Sequence, residues 1–410
     1  MANALQPVAP EDRIRALDML RGWAMFGVLW SNLNDNYGTR KPTTGLDHAL
    51  SWIQDWLLEA RFYSLLILLF GIGFGIQLIR ADDRGTDLRA TYYRRSAALL
   101  AIGVLHGTLI WGGDILTIYA LVAFALVMFR AASSRQILVA ALLLWFIGPT
   151  IVQEATFLSG LRFLLPRSFS ESIAIYAHGT WLEIEQARVG GYLQWLGRWG
   201  LSSYVIILAS YLMGLWAVKT GYLRRVIEEP RVTRRLLAVA LGAAVVGYAS
   251  WVWSDTLWPR SPFIPGLGPA FLSADFLSAG FQLEMLRAFV MRLFDWATVG
   301  AAVVYACLLL LLWQRPRGQL LLRPLAAAGR MALTTYLSQS VVCTLLFYSY
   351  GLGWYGSVGF TGMLVITLIL FGGQMAASTW WLGRFRYGPA EWLWRTLAYG
   401  RAPKMRATTA

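Results

Sequence analysis

The stretch AIGVLHGTLIWGGDIL at 101–116 places one imidazole, His106, in an apolar run, with a carboxylate, Asp114, eight residues on. An ionisable ring among apolar side chains carries a desolvation cost, which makes it a functional-site candidate by default. A histidine oriented by a carboxylate is the usual general base for taking a proton from a hydroxyl or amine. The competing role is structural: a neutral imidazole can hydrogen-bond a facing carbonyl and tie two helices together. Gly112–Gly113 is expected to break the helix that carries His106, so Asp114 can reach the ring directly if the chain folds back, or through water. Thr117 and Tyr119, just beyond, are further hydrogen-bond candidates.

Four other groups carry polar chemistry. Asp18 and Arg21, three residues apart, share one face of a first helix. They form either an anchoring ion pair or a corner that holds a phosphate or pyrophosphate, which a guanidinium suits. Arg94 and Arg95 extend that basic rim. Glu59 and Arg61 open a helix whose middle reads Gly71-x-Gly73-x-Gly75. Close helix packing is the reading for the glycines, and snorkelling for Arg61, which is also a substrate-contact candidate. Thr335, Tyr336, Ser338 and Gln339 form a polar stripe in an apolar helix. Interhelix hydrogen bonding explains such stripes, and Tyr119, Tyr336 and Gln339 are the substrate-facing candidates. Past Gly388-Pro389, the residues Glu391, Trp392, Trp394 and Arg395 suit an amphipathic surface segment.

No nucleophile elbow, phosphate loop, dinucleotide fingerprint or zinc-binding helix motif is present. The two cysteines, Cys307 and Cys343, lie in apolar runs without metal-type spacing, so no metal is expected. His48 reads as an exposed loop residue, and His178 falls in a long loop without an assigned role.

The elements that must position these groups follow from composition. The chain has 410 residues, 57% hydrophobic and 14% charged, against about 45–50% and 25% in soluble domains. Apolar runs near the roughly 20 residues of a membrane span recur along it, without the alternation of a barrel. The prediction is an all-α polytopic membrane protein, a bundle of about ten transmembrane helices at 17–34, 60–79, 96–112, 115–131, 137–154, 200–219, 236–255, 291–313, 331–350 and 358–382. The third would begin near Ser96, which puts His106 about 15 Å deep. A cytoplasmic N-terminus leaves most of the 36 Lys and Arg in cytoplasmic segments, so both termini are assigned inside. The net charge of +14 is this topological bias rather than a nucleic-acid surface. The N-terminus is too polar for a signal peptide, so the first run is read as an uncleaved helix. One domain, 1–410, is expected. Aromatic-rich outer loops at 155–199 and 256–290 would form caps, 49–59 an interfacial helix, and 384–410 a cytoplasmic tail.

Taken together, the motifs RIRALDMLRG, RFYSLLILLFGIG, GVLH with WGGDILTIY, GRMALTTYLSQS and YGPAEWLWR resemble the YeiB-like family of bacterial inner-membrane proteins, over about residues 13–401. That family is similar, more distantly, to the transmembrane acyltransferases, including glycan O-acyltransferases and the lysosomal heparan glucosamine N-acetyltransferase. The resemblance implies a donor acyl-CoA, probed as acetyl-CoA, bound from the cytoplasm at Asp18, Arg21, Arg94 and Arg95. It implies an acyl acceptor, a small molecule or glycan, reached from the far side, and a location in the bacterial inner membrane with the lipid bilayer as partner. A homodimer is compatible with it. Glycan O-acyltransferases usually carry a histidine near the outer end of the first helix, where this chain reads SNLND at 31–35. His106, oriented by Asp114, or else His48, would then supply the base. The alternative is a proton-coupled carrier for a small anion or amphiphile, with His106 and Asp114 as its relay.

Overall fold

Apolar sequence of this density leaves few outside partners for backbone amides and carbonyls, and helices satisfy both within one segment. The computed structural model describes residues 14–39, 41–58, 60–149, 169–198, 200–257 and 279–406, and it is helical, with no strand among those residues. In chain order the helices are α1 (Arg15–Asn36), α2 (Gly45–Ile53, continued by a π-turn Gln54–Leu58), α3 (Arg61–Asp83), α4 (Leu88–Leu109), α5 (Leu116–Leu126), α6 (Ser134–Phe146), α7 (Phe169–His178), α8 (Trp181–Arg198), α9 (Gly200–Lys219), α10 (Tyr222–Glu228), α11 (Pro230–Leu257), α12 (Ala279–Trp313), α13 (Pro316–Arg330), α14 (Ala332–Phe347), α15 (Phe360–Leu382) and α16 (Pro389–Tyr399).

Among the described residues, three helical runs have the length and apolarity of a span: Gly45–Asp83, Pro230–Ser250 and Phe360–Leu382. Ser203–Lys219 with Tyr222–Glu228 makes a fourth if the pair, bent by 75°, is one span. Leu116–Phe129, Ser134–Phe146, Ala297–Trp313 and Ala332–Phe347 are shorter apolar helices. Large apolar side chains point outward from α11 (Val239, Val245, Val246) and α15 (Leu368, Ile369), as a lipid-facing surface requires.

Each segment expected to be a helix coincides with one, but boundaries and connections differ. α4 begins at Leu88, capped by the Asp87 side chain, rather than near Ser96. It also ends at Leu109 rather than 112, so His106 sits in its last turn and not midway along it. The basic segment after α12, read as a loop, folds as α13 with Pro316 in its first turn. Of the loop expected at 155–199, residues 169–198 form α7 and α8; 155–168 lie outside the described residues. Of 256–290, only 256–257 and 279–290 are described, as helix ends, and the end of the helix expected at 137–154 also lies outside.

Two features hold the centre. α1 crosses α13 at backbone contact: a Cβ on Gly22 would meet Leu325 O at 2.0 Å, and one on Gly329 would meet Asp18 O at 1.8 Å. Only glycine allows so close a crossing. Two apolar helices that lack side-chain caps of their own are capped by carboxylates from elsewhere. Asp47 of α2 accepts from Thr361 N (2.9 Å) and Thr361 Oγ1 (2.7 Å) at the start of α15. Glu391 of α16 accepts from Leu333 N (2.7 Å) and Thr334 N (3.1 Å) at the start of α14. A carboxylate there satisfies orphan amides and meets the positive end of the helix dipole.

Candidate functional site

α4 ends at Leu109, and His106 O accepts from both Ile110 N and Trp111 N as the chain turns. Gly112–Gly113 then lets it double back, which sets Asp114 Oδ1 2.8 Å from His106 Nδ1. The other carboxylate oxygen accepts from Thr117 N (2.8 Å) in the first turn of α5. The eight-residue spacing thus closes into a direct contact, with side chains 1% and 0% exposed. An ionised carboxylate only accepts, so Nδ1 donates to it, and in the neutral imidazole that leaves the lone pair on Nε2. Among the described residues His106 Nε2 has no hydrogen-bond partner.

The pair is buried by α8, which the sequence placed only as part of an outer loop. Trp195 Nε1 donates to Asp114 O (3.1 Å), Tyr192 Oη meets Thr117 Oγ1 (2.8 Å), and Arg188 donates to Leu109 O while pairing with Glu185 at 3.1 Å. Arg188, Tyr192 and Trp195 are site residues that sequence reasoning missed; aromatic richness in 155–199 was the only signal. The remaining wall is aromatic: the His106 ring lies 5.0 Å from Tyr336 and 6.3 Å from Trp111, centroid to centroid. Tyr336 Oη accepts from Ile115 N at 3.3 Å.

On the far side of Tyr336 opens a cavity of about 340 Å³. Its lining is sorted by polarity. Along α3 it runs from Leu66, Leu69 and Phe70, past Gly73, to Gln77, Arg80 and Arg84. Leu99, Leu116, Tyr119 and Tyr336 complete the inner part, while Arg21, Arg95, Arg330, Arg386 and Arg395 join the rim. Seven arginines thus face two carboxylates, Asp18 and Glu391, and Asp18 is already paired with Arg21 at 2.9 Å. Ile14 and Leu17 near the start of α1 and Trp394 and Tyr399 of α16 line the same mouth, so the first and last described helices meet there. Glu391 sits outside the apolar helices. Burial pushes its carboxyl above the usual range, and the hydrogen bonds from Thr334 and Leu333 pull it down without reversing the shift.

A second space, of about 10 Å³, lies beside Leu29, Asn32, Tyr37, Trp111, Gln339 and Ser340, and Tyr336 lines this one too. That is room for about one water. Tyr336 therefore separates two cavities. His106 and Asp114 line neither, although Tyr336, Trp111 and Ile115 around them do.

The sequence candidates divide accordingly. Asp18, Arg21, Arg95, Tyr119 and Tyr336 meet at the large cavity. Arg95 is held there by Trp394, whose ring lies 4.4 Å from the guanidinium carbon, and by Tyr399 Oη at 3.2 Å. Arg94 does not join them: one residue earlier, it points to the surface. Arg61 does not either. It is buried at the opposite end of α3 and donates to Asp55 O (3.2 Å), Trp56 O (2.9 Å) and Tyr248 Oη (2.5 Å), as a clamp on the left-handed turn at Ala60 (φ 62°). Gln339 faces the small space and donates to Gln374 Oε1 at 3.0 Å. His48 and His178 are exposed, each on a helix. Arg80, Arg84, Arg330, Arg386 and Glu391 joined the rim without being singled out as ligand contacts; their signal was the basic clustering already read as topology.

Comparison with known proteins gives three relatives of matching length. The uncharacterized protein YxaH of Bacillus subtilis is 30% identical over 428 residues, 97% of each chain. The uncharacterized protein YeiB of Escherichia coli is 27% identical over 94% of this chain and 96% of its own. The uncharacterized 39.9 kDa protein in the amylase 3′ region of Bacillus acidopullulyticus is 25% identical over 97% of each. Residues 263–401 match a family profile described as a protein of unknown function, DUF418.

Proposed function

The chain belongs to the YeiB-like family, and from that premise we propose that it is a multi-pass protein of the bacterial inner membrane that transfers an acyl group from acyl-CoA to a hydroxyl or amine. About ten spans and cytoplasmic termini complete the picture. The observation that carries the reading is the cavity: an apolar interior under a seven-arginine rim suits a molecule with a phosphate-rich head and a slender apolar arm.

The chemistry needs one base. The acceptor oxygen or nitrogen attacks the thioester carbonyl; a C–O or C–N bond forms and the C–S bond breaks. His106 Nε2 takes the proton from the acceptor and returns it to the departing thiolate, while Asp114 holds the ring's tautomer and offsets its transient charge. Because Tyr336 stands between the cavity and the imidazole, its side chain has to swing aside for the thioester to arrive. Transfer then happens beside the displaced Tyr336, with the donor coming from the arginine side.

The test is a titration of purified protein with coenzyme A and acetyl-CoA, followed by melting temperature. A saturable rise in Tm is expected. One observation favours a second reading: two cavities on opposite sides of one ring, with the buried His106–Asp114 pair in neither, also suit an occluded carrier with a proton relay. No Tm response, together with proton-coupled uptake into liposomes, replaces the transferase by the carrier.

A further inference from the structure

Three glycines of α3 lie within five residues, and they do different things. A Cβ on Gly71 would fall 2.2 Å from Tyr211 O, and one on Gly75 would fall 2.9 Å from the Val218 Cβ, so α9 requires both. Gly73 faces the cavity, and the nearest atom to a Cβ there is Arg21 Nη2 at 3.8 Å. Alanine fits at 73 and is the better helix former. Packing within the chain therefore does not call for glycine, whereas a ligand lying against the backbone does.

A second, independent observation concerns the wall of the same space. Among the described residues Tyr119 Oη has no hydrogen-bond partner, and its side chain is more than nine-tenths buried in the cavity wall. Buried hydroxyls nearly always have partners. The Tyr119 ring packs 6.2 Å from Phe70, one turn of α3 further in than Gly73.

We infer that the cavity holds an elongated anionic ligand whose slim chain rests on the α3 backbone at Gly73, beside Arg21, and whose carbonyl oxygen, one turn deeper, accepts a hydrogen bond from Tyr119 Oη. Gly73 then sets the girth of the chain that passes, and Tyr119 selects for a carbonyl on it. This rests on the acyl-CoA reading, in which that carbonyl is the thioester.

The experiment measures binding of two probes, decanoyl-CoA and dodecyl phosphate, the second having a charged head and chain but no carbonyl. Wild type binds both. Gly73→Leu weakens both by about tenfold or more, and Tyr119→Phe weakens decanoyl-CoA alone by about tenfold, the size of one lost hydrogen bond. Gly73→Ala, whose ligand-free Tm does not fall, reports the same trend if the leucine variant fails to fold. Equal decanoyl-CoA affinity in wild type and the Gly73 variants overturns the Gly73 assignment and leaves the acyl-CoA reading standing. Equal affinity in Tyr119→Phe overturns the carbonyl contact. Binding of dodecyl phosphate alone, lost in Gly73→Leu, supports the slot and overturns acyl-CoA. No binding of either probe by wild type overturns both.

Discussion

The Tyr336 ring packs against the His106 imidazole, centroids 5.0 Å apart, and lines both internal cavities. The basic candidate and the ligand-sized space are thus adjacent but separated by one side chain. Tyr336→Ala joins the two spaces. It should cost about 3–5 kcal/mol of stability, as large-to-small core changes do, and should raise acyl-CoA hydrolysis in the absence of acceptor. Tyr336→Phe keeps the partition and loses only the bond from Ile115 N. A thiol-release assay on both variants checks this; an alanine variant that is folded and no leakier than wild type removes the partition role.

His106→Ala should abolish transfer, since a positioned base is worth about 10²–10⁴-fold. The protein should stay folded, destabilised by about 1–3 kcal/mol because Asp114 Oδ1 loses its partner. Thermal melting and turnover are read on the same preparation. Full activity in a folded variant makes the imidazole structural.

Arg21→Ala should weaken coenzyme A binding by about 10–100-fold, the range of one charge-assisted hydrogen bond, with a smaller effect on turnover. Raising the salt should weaken wild-type binding, because rim charges are screened over about 8–10 Å. Isothermal titration at two ionic strengths measures both. A salt-independent affinity would remove the rim from the site.

Gly71→Ala and Gly73→Ala should move stability in opposite directions. The first drives a methyl into the Tyr211 backbone and costs about 1–3 kcal/mol. The second meets open space and gains up to about 1 kcal/mol of helix propensity. Melting curves of the ligand-free variants decide it; matching shifts would contradict the assignment of their faces.

Glu391 supplies the pH dependence. Burial raises its carboxyl pKa in the folded chain above the unfolded value, which is about 4.3. A raised carboxyl means the folded state holds its proton more tightly. Its stabilising contribution is complete below the unfolded pKa and is lost as pH rises through the folded one. Relative to Glu391→Gln, wild type should gain Tm on acidification across that window. Parallel Tm profiles for the two proteins would show that Glu391 does not titrate there.

Much of the fold is legible in local pattern. The apolar runs at 60–79, 200–219 and 358–382 became α3, α9 and α15 nearly residue for residue, because a run that long must satisfy its own backbone. His106 with Asp114 was legible for a similar reason: Gly112–Gly113 lies between them, and a helix that stops there turns back on itself. Arg315–Arg330 was misread because a basic segment between apolar runs satisfies the topological rule whether it is loop or helix, and α13 is fixed by its crossing with α1.

The sequence by itself determined the helical class, the apolar segments and the family, and it offered the histidine–carboxylate pair as a candidate, all consequences of neighbours within a turn or two or of whole-chain motifs; the direct contact came from the structure. Only the tertiary structure decided that Arg95 reaches the cavity while Arg94 does not, that Arg61 is a clamp, that Glu391 caps α14, and that Gly73 faces space where Gly71 faces backbone. Those outcomes depend on which helix packs against which face. That is set largely by contacts between residues far apart in the chain, 58 positions for Glu391 and Leu333, 187 for Arg61 and Tyr248 and 304 for Arg95 and Tyr399, which local spacing does not encode.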